Sequence, residues 1–138
     1  MNKYKFVIRG ELPSMNEIIK ETKRWKSAYN SNIKSVSTNL CKLSCLKLQK
    51  IDFKAFFLIT FYCKNKKKDP DNIDVAKKFI FDGMVNAGKL KNDGWKQIGG
   101  FHPEFYVDKT NPRIEVEIFR SKSGMLEEAL IRARCEKL

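Results

Sequence analysis

The sequence contains few of the residues that bind zinc. Its 138 residues include one histidine, His102, and four cysteines, none of which belongs to a C-x-x-C pair. Structural zinc sites combine cysteine and histidine at short, regular spacings, so the composition argues against a zinc protein. Cys41 and Cys45 lie four residues apart, on one face of a helix, and we interpret them as buried free thiols.

Long apolar stretches are also missing. Residues 1–8 lack the hydrophobic segment of a signal peptide, and no apolar run approaches the length of a transmembrane helix. Internal repeats, linkers and low-complexity segments are absent as well. We therefore expect one domain over residues 1–138, located in the reducing cytoplasm and not associated with a membrane.

Acidic residues are outnumbered by basic ones. Lysine and arginine total 28 against 16 aspartates and glutamates, which gives a formal net charge of +12. This excess attracts phosphate backbones and favours sequence-independent binding to nucleic acid. Ribosomal and membrane-surface proteins share the property, so charge indicates a class of partner but no chemistry.

The hydrophobic pattern predicts an α+β domain with a mixed β-sheet and the order β-α-β-α-β-β-α. Ser14 and Glu17 have the spacing of a capping box at the start of the first helix. The predicted strands cover residues 4–8, 53–63, 97–107 and 113–119. The first predicted helix begins at residue 14, the second covers residues 69–86, and the third covers about 121–137.

Three patterns predict how these elements pack. Apolar side chains recur at helical spacing in the first helix: Trp25, Tyr29, Ile33, Val36, Leu40 and Leu43. The last strand alternates Ile114, Val116 and Ile118 with Glu115 and Glu117, which is typical of a sheet with one solvent-exposed face. The C-terminal helix is predicted to pack through Leu126, Leu130 and Ile131.

The most informative stretch is a run of lysines followed by Asp69-Pro70-Asp71 at the predicted start of a helix. Helix capping explains these residues without chemistry, because aspartate is a preferred N-cap and proline suits the first turn. A second aspartate there also interacts favourably with the helix dipole. Capping therefore remains open beside a functional role. An EF-hand is excluded, because Ile73 stands where that motif requires a polar ligand.

The distribution of side chains around this helix favours a functional role. At about 100° per residue, a narrow stripe carries two acids and a lysine, while the opposite side is apolar. The stripe consists of Asp71, Val75, Lys78 and Asp82. The apolar side, which we expect to face the core, consists of Ile73, Ala76, Phe79, Ile80, Gly83 and Met84.

Acidic side chains that gather around one point repel each other unless a cation lies between them. Asp69, Asp71 and, in the loop after the helix, Asp93 supply the oxygen ligands that Mg²⁺ or Mn²⁺ prefers. Such an ion binds a substrate phosphate and activates an attacking water. Lys78 on the same face can stabilise charge that develops on the phosphate. These residues predict a metal-dependent nuclease site that needs no small-molecule cofactor.

At these residues the chain resembles the RusA-like endodeoxyribonucleases, the Holliday junction resolvases common in phages and prophages. The resemblance covers residues 4–119 and implies a RusA-like resolvase fold. It also implies Mg²⁺-dependent cleavage of branched, four-way DNA during recombination and repair in a bacterial cell. The matching residues are Pro13-Ser14-Met15-Asn16, Lys66-Lys67-Lys68, Asp69-Pro70-Asp71-Asn72, Lys78 with Asp82, and the turn Asn92-Asp93-Gly94-Trp95.

The resemblance assigns roles by position. The metal-binding carboxylates would be Asp69, Asp71 and Asp93. Lys78 is our choice of active-site lysine. It lies seven residues after Asp71, about one helical turn more than the spacing of four in the best-known resolvases, and both spacings fall on nearly the same helical face. By the same count, Lys77 points away. Supporting roles fall to Asn16, Asn72 and Asp82. The lysines Lys66, Lys67 and Lys68 either contact DNA phosphates or form a solvated loop.

Known members of this family are homodimers, so the resemblance implies a homodimer whose two sites match the two equivalent strands of a junction. We expect the C-terminal helix, beyond the matched region, to cap the sheet rather than to extend the dimer interface. The alternative function is a non-catalytic basic DNA-binding protein with a junction-binding or regulatory role. No helix-turn-helix, zinc finger or basic-region helix is recognisable, which argues against a regulator.

Overall fold

The computed structural model describes residues 4–136, and for residues 21–32 it describes the backbone alone. The predicted α+β class with a mixed sheet is confirmed. The elements in chain order are β1 (Lys5–Arg9), α1 (Met15–Ser44), β2 (Ala55–Cys63), α2 (Pro70–Asp74), α3 (Lys77–Asn86), β3 (Ile98–Val107), β4 (Arg113–Phe119) and α4 (Lys122–Glu136). Within the described residues, no helix is long and apolar enough to cross a membrane.

The four strands form one sheet in the order β1-β4-β2-β3. Strand β2 pairs in parallel with β3 and antiparallel with β4, and β1 pairs antiparallel with β4. Helices cover both faces of β2, which explains why its aromatic-rich sequence is almost entirely buried, as predicted. Strand β3 lies at an edge of the sheet, where Pro103 is tolerated because one side of the strand needs no partner.

Helices α1 and α3 pack on one face of the sheet and enclose the main core. The predicted core face of α3 is confirmed, since Phe79, Ile80 and Met84 are buried. The helices approach each other closely at Gly83. A Cβ atom added there would lie 2.5 Å from the Cβ of Cys41 and 2.8 Å from the backbone nitrogen of Lys42. Glycine is therefore required for this packing, which brings α1 alongside the polar face of α3.

Helix α1 begins at the predicted capping box. Ser14 accepts a hydrogen bond from the backbone N–H of Glu17, and the Glu17 carboxylate accepts from the Ser14 N–H. Cys41 and Cys45 are buried free thiols, as predicted, and burial raises the pKa of Cys41 to about 12. The apolar stripe predicted for α1 does not supply the core, because Val36, Leu40 and Leu43 are exposed. The side chains of Trp25 and Tyr29 lie outside the described residues.

The single helix predicted for residues 69–86 is wrong, because the chain forms two helices separated by Val75 and Ala76. Hydrogen bonds here run from residue i+3 to residue i: Ala76 donates to Ile73, and Lys78 donates to Val75. This tighter turn advances by roughly 120° per residue instead of roughly 100°. The positions of Asp71 and Lys78 around one helix axis therefore differ from those that a continuous α-helix would give.

The opposite face of the sheet is covered by α4, so the predicted solvent-exposed face is wrong. Glu115 and Glu117 on that face are 8% and 4% exposed. The prediction that α4 caps the sheet is confirmed, but the predicted packing side is wrong, because Leu126, Leu130 and Ile131 are exposed. Helix α4 instead buries Met125 and Ala129 against Leu58.

The acids beneath α4 are held by a buried ion-pair network. Nη1 of Arg132 lies 2.7 Å from Oε1 of Glu115, and Nη2 of the same guanidinium donates to Glu117. Arg113 and Lys5 also pair with Glu115. Burial alone would raise the pKa of Glu115, but hydrogen bonds from these three cations outweigh it and lower that pKa to about 2. Buried acids are tolerated on this face of the sheet because the inner side of α4, which carries Met125 and Ala129, also carries Arg132.

Candidate active site

The residues predicted to begin the site lie in the loop between β2 and α2. Asp69 is the N-cap residue of α2, and its backbone carbonyl accepts from the N–H groups of Asn72 and Ile73. Within the described residues, its carboxylate makes no capping hydrogen bond. Asp71 is exposed and accepts a hydrogen bond of 3.0 Å from the backbone N–H of Asn72. Capping by the side chain therefore does not account for Asp69, and its carboxylate is available for other contacts.

The three preceding lysines differ in their surroundings. Lys66 and Lys67 are exposed. Lys68 is half-buried and forms ion pairs with Glu17 and Glu11. Burial would lower the pKa of Lys68, but the hydrogen bond and charge of Glu17 raise it. Lys68 thus ties the loop to the first turn of α1, and Lys66 and Lys67 are the better candidates for contact with phosphates.

Two of the predicted supporting residues lie near this loop. Asn16 is exposed in the first turn of α1, next to Glu17, which pairs with Lys68. Asn72 is half-buried in α2. Asn72 thus directly follows Asp71, and Asn16 precedes the glutamate that ties this loop to α1 through Lys68.

The polar face of α3 and the loop after it form a compact charged cluster. Nζ of Lys78 lies 3.2 Å from Oδ1 of Asp82 and 3.3 Å from Oδ2 of Asp93. The hydrogen bond to Asp82 raises the pKa of Lys78, burial opposes this, and Asp93 raises it further. Lys78 is consequently a protonated cation at neutral pH. It can stabilise negative charge or donate a proton, but it cannot act as a general base.

Lys77 is directed away from this cluster. Its ammonium pairs with Asp74 and lies 4.5 Å from the centroid of the Phe101 ring. Lys78, which lies one residue later, contacts both Asp82 and Asp93. Of the two lysines, Lys78 is therefore the one that contacts Asp93, while its role as an active-site lysine stays a prediction.

Local hydrogen bonds position Asp93 in its loop. The side-chain oxygen of Asn92 accepts a 2.8 Å hydrogen bond from the backbone N–H of Asp93. The backbone N–H groups of Gln97 and Ile98 both donate to the carbonyl of Gly94, which forms a tight turn into β3. The Asp93 carboxylate is thus presented from a short, hydrogen-bonded turn rather than from a long loop.

Two grooves meet at Asp93. The first runs between α1 and α3, and its charged and amide side chains are Lys34, Asn39, Lys42, Asp82, Asn86 and Asp93. The second is largely aromatic and is lined by Lys77, Lys78, Phe81, Asp93, Trp95 and Phe101, among others. Sequence reasoning did not assign functions to Lys34, Lys42, Trp95 or Phe101. Only Trp95 gave a usable signal, since a large aromatic residue stands within a polar turn.

The carboxylates predicted as metal ligands are not assembled as a group. Among the described residues, no three aspartate, glutamate, histidine or cysteine side chains converge as a metal site would require. Asp69 lines a separate groove that also includes Lys66 and Tyr106. Of the three, Asp93 shares a contact with another acid, since Asp82 and Asp93 both pair with the Lys78 ammonium.

The converging pair fits the oxygen chemistry of a hard cation. Mg²⁺ is commonly held by one or two carboxylates, with water and substrate phosphate completing its shell. Asp82 and Asp93 match that requirement by number and by ligand type, and the cation that both carboxylates contact in the structure is the Lys78 ammonium. The fit is to a two-carboxylate site centred on Asp93, which differs from the three-carboxylate set that the sequence predicted.

Comparison with known proteins adds no assignment. The chain matches no family model, and it matches no curated protein.

Proposed function

We propose that this protein is a divalent-metal-dependent endodeoxyribonuclease that cuts branched DNA, with the four-way junction as its substrate class. The observation that carries the proposal is the cluster of Lys78, Asp82 and Asp93 at the meeting point of two grooves in a chain of net charge +12. The resemblance to RusA-like resolvases supports the same activity. It also supports a role in recombination or repair in the cytoplasm of a bacterial cell, for a phage or prophage gene.

The residues of the cluster divide the chemistry between them. Mg²⁺ or Mn²⁺, held by Asp93 and Asp82, would polarise the scissile phosphate and activate a water molecule. Lys78 is 63% exposed at its side chain and remains protonated, so it can contact the same phosphate and stabilise the negative charge that develops there. Asp69 and Asp71 remain the further ligands that the resemblance implies, on the neighbouring loop and helix.

The direct test is cleavage of a synthetic four-way junction in Mg²⁺ and in EDTA. We expect paired cuts in Mg²⁺, no cuts in EDTA, and retained junction binding in EDTA. A linear duplex of the same sequence is the substrate control. Binding without cleavage under every metal condition would contradict the proposal.

A non-catalytic DNA-binding protein is the second candidate function. The observation that favours it is the lack of a three-ligand metal cluster among the described residues. The observation against it is the second carboxylate of the cluster, Asp93, because it lowers the positive charge that a protein which only binds phosphate would present at Lys78. The EDTA comparison separates the two candidates.

Phosphate contacts should make DNA binding depend steeply on salt. If Lys66 and Lys67 each neutralise one phosphate, replacing both with Ala should lower the slope of log K against log salt by about 2 units. Lys68→Ala is the matched control, because Lys68 already pairs with Glu17 and Glu11 and should change the slope little. Filter binding or anisotropy from low to moderate salt measures the slope. An unchanged slope in the double variant would assign those lysines to a solvated loop.

We also propose a homodimer, paired through the exposed apolar stripe of α1. Val36, Leu40 and Leu43 form this stripe, and Val36 also lines the groove that contains Asp82 and Asp93. A two-fold axis beside α1 would therefore bring two clusters toward one surface, as the symmetry of a junction requires.

Sedimentation at micromolar concentration should show a species near twice 16.1 kDa. Leu40→Glu should shift it toward the monomer, whereas Leu130→Glu on α4 should not, because only the first substitution places a charge in the proposed interface. A wild-type monomer that still made paired, symmetric cuts would contradict the dimer.

A further inference from the structure

Trp95 is the most exposed large apolar residue in the part of the chain that the structure describes, with 93% of its surface accessible. Most tryptophans bury the greater part of their surface, because the ring contributes a large hydrophobic area. Trp95 follows Asp93 and Gly94 in the hydrogen-bonded turn that leads into β3. The same turn therefore presents an acid of the candidate active site and an unpacked indole ring.

A second aromatic ring lies in the same groove. Phe101 on β3 is 43% exposed, and Lys77, Lys78 and Asp93 line the groove with it. The ring of Phe101 packs against that of Phe81, with the two centroids 6.1 Å apart. Nζ of Lys77 lies 4.5 Å from the centroid of the Phe101 ring. The groove thus combines an almost fully exposed indole and a partly exposed phenyl ring with two lysines, and aromatic rings beside cations are the combination that binds single-stranded nucleic acid.

We propose that Trp95 and Phe101 form a stacking site for unpaired DNA bases beside Lys78 and Asp93. The proposal rests on the proposed nuclease function, because a branched substrate supplies such bases next to the phosphate to be cut. Stacking tolerates any base sequence, since every base has a π-face. Lys77 and Lys78 would contact the adjoining phosphates.

The surroundings favour DNA over a protein partner on this groove. Lys91 and Lys96 are exposed on the same loop, so cations flank the turn on both sides in sequence and attract a polyanion. Addition of a strand to the neighbouring edge of the sheet is disfavoured, because Pro103 within β3 lacks a backbone N–H. A polyanion that also carries aromatic rings matches both features of the groove.

The test measures binding in EDTA, where no cleavage complicates the result. Trp95→Ala and Phe101→Ala are compared with wild type on an oligodeoxythymidine and on a blunt duplex of equal phosphate number. We expect Trp95→Ala to lose roughly 10-fold in affinity for the single strand and little for the duplex. Leu130→Ala is the matched control, because Leu130 is 61% exposed on α4, which covers the opposite face of the sheet.

A spectroscopic measurement tests the contact itself. The chain has two tryptophans, so Trp25→Phe leaves Trp95 as the sole indole. Oligodeoxythymidine should quench its fluorescence if a base stacks on the ring. Absence of quenching, or an equal loss of affinity for both DNA forms in Trp95→Ala, would overturn the stacking site. A shift of Trp95→Ala from dimer to monomer would overturn it in favour of a subunit interface.

These outcomes are distinct from failure of the nuclease function. A wild-type protein that never cleaves in Mg²⁺ but stacks a base on Trp95 would refute the nuclease and retain the stacking site. A protein that cleaves junctions normally, and whose Trp95→Ala variant binds the single strand as tightly as wild type, would refute only the stacking site.

Discussion

Replacing Asp93 with Asn is expected to reduce cleavage of a four-way junction by orders of magnitude while leaving the fold intact. Asparagine has nearly the same shape as aspartate, and the Asp93 side chain is 31% exposed in a turn held by backbone hydrogen bonds. The substitution removes one of the two carboxylates that converge on Lys78. In the proposed nuclease it would therefore weaken binding of the divalent cation that activates the attacking water.

Junction binding in EDTA should persist or strengthen in Asp93→Asn, because a negative charge near the phosphates is gone. Thermal unfolding checks the fold, and gel-resolved cleavage in Mg²⁺ measures the rate. Asp52→Asn is the matched control, since Asp52 is exposed in the loop before β2. A folded Asp93→Asn variant that cut at the wild-type rate would remove the proposed active site.

The same assay distinguishes the two possible ligand sets. Asp82→Asn should impair cleavage as Asp93→Asn does if the pair around Lys78 holds the cation. Asp71→Asn should impair it equally if the three-carboxylate set implied by the resemblance forms when metal and DNA bind. Asparagine is tolerable in the first turn of a helix, so loss of activity in Asp71→Asn would not reflect loss of α2. An effect confined to Asp71→Asn would place the metal at α2 instead.

The positions of the strands were predictable because they depend on local runs of apolar and β-branched residues, whereas the burial of the acidic face of β4 depends on α4. Strand β2 is a dense apolar run, as a strand that is buried on both faces of the sheet must be. The predicted bounds of β3 and β4 agree with the structure nearly to the residue. The break between α2 and α3 was not predictable, because nothing in Val75-Ala76 forbids a continuous helix. The tighter turn is a product of packing, with Ala76 buried in the core.

The candidate site was predictable where it depends on one regular helix. Lys78 and Asp82 lie four residues apart within α3, so their ion pair follows from helical geometry. The convergence of Asp93 on Lys78 depends on the fold of the following turn, which sequence spacing alone does not specify. Asp71 lies across the interruption at Val75, so the face assigned to it by counting 100° per residue was unreliable.

The packing side of α4 was mispredicted because hydrophobicity was the wrong criterion for this surface. The sheet face beneath α4 carries Glu115 and Glu117, so the helix must present a cation there. Arg132 follows Met125 and Ala129 at helical spacing and supplies it. Leu126, Leu130 and Ile131 are consequently directed to the outer side. Tyr62 joins the same network, since its hydroxyl accepts a hydrogen bond of 3.4 Å from Nη1 of Arg132 and donates one of 2.8 Å to Glu136.

This network makes Arg132 a residue whose loss should strongly destabilise the fold. Replacing Arg132 with Met leaves two buried carboxylates with fewer cations, and breaking such a pair by removing one partner costs about 3 to 5 kcal/mol in the free energy of unfolding. Guanidinium titration measures that cost. Glu128→Gln is the control and should change stability little, because Glu128 lies 3.7 Å from Arg132 and is 32% exposed.

Adding Glu117→Gln to Arg132→Met should recover part of the lost stability, because the second substitution removes the charge that the first left uncompensated. Glu117 is the appropriate partner to neutralise, since Glu115 retains Arg113 and Lys5 when Arg132 is absent. If Arg132→Met were as stable as wild type, α4 would be held by Met125 and Ala129 alone. The buried acids beneath α4 would then not need the arginine for stability.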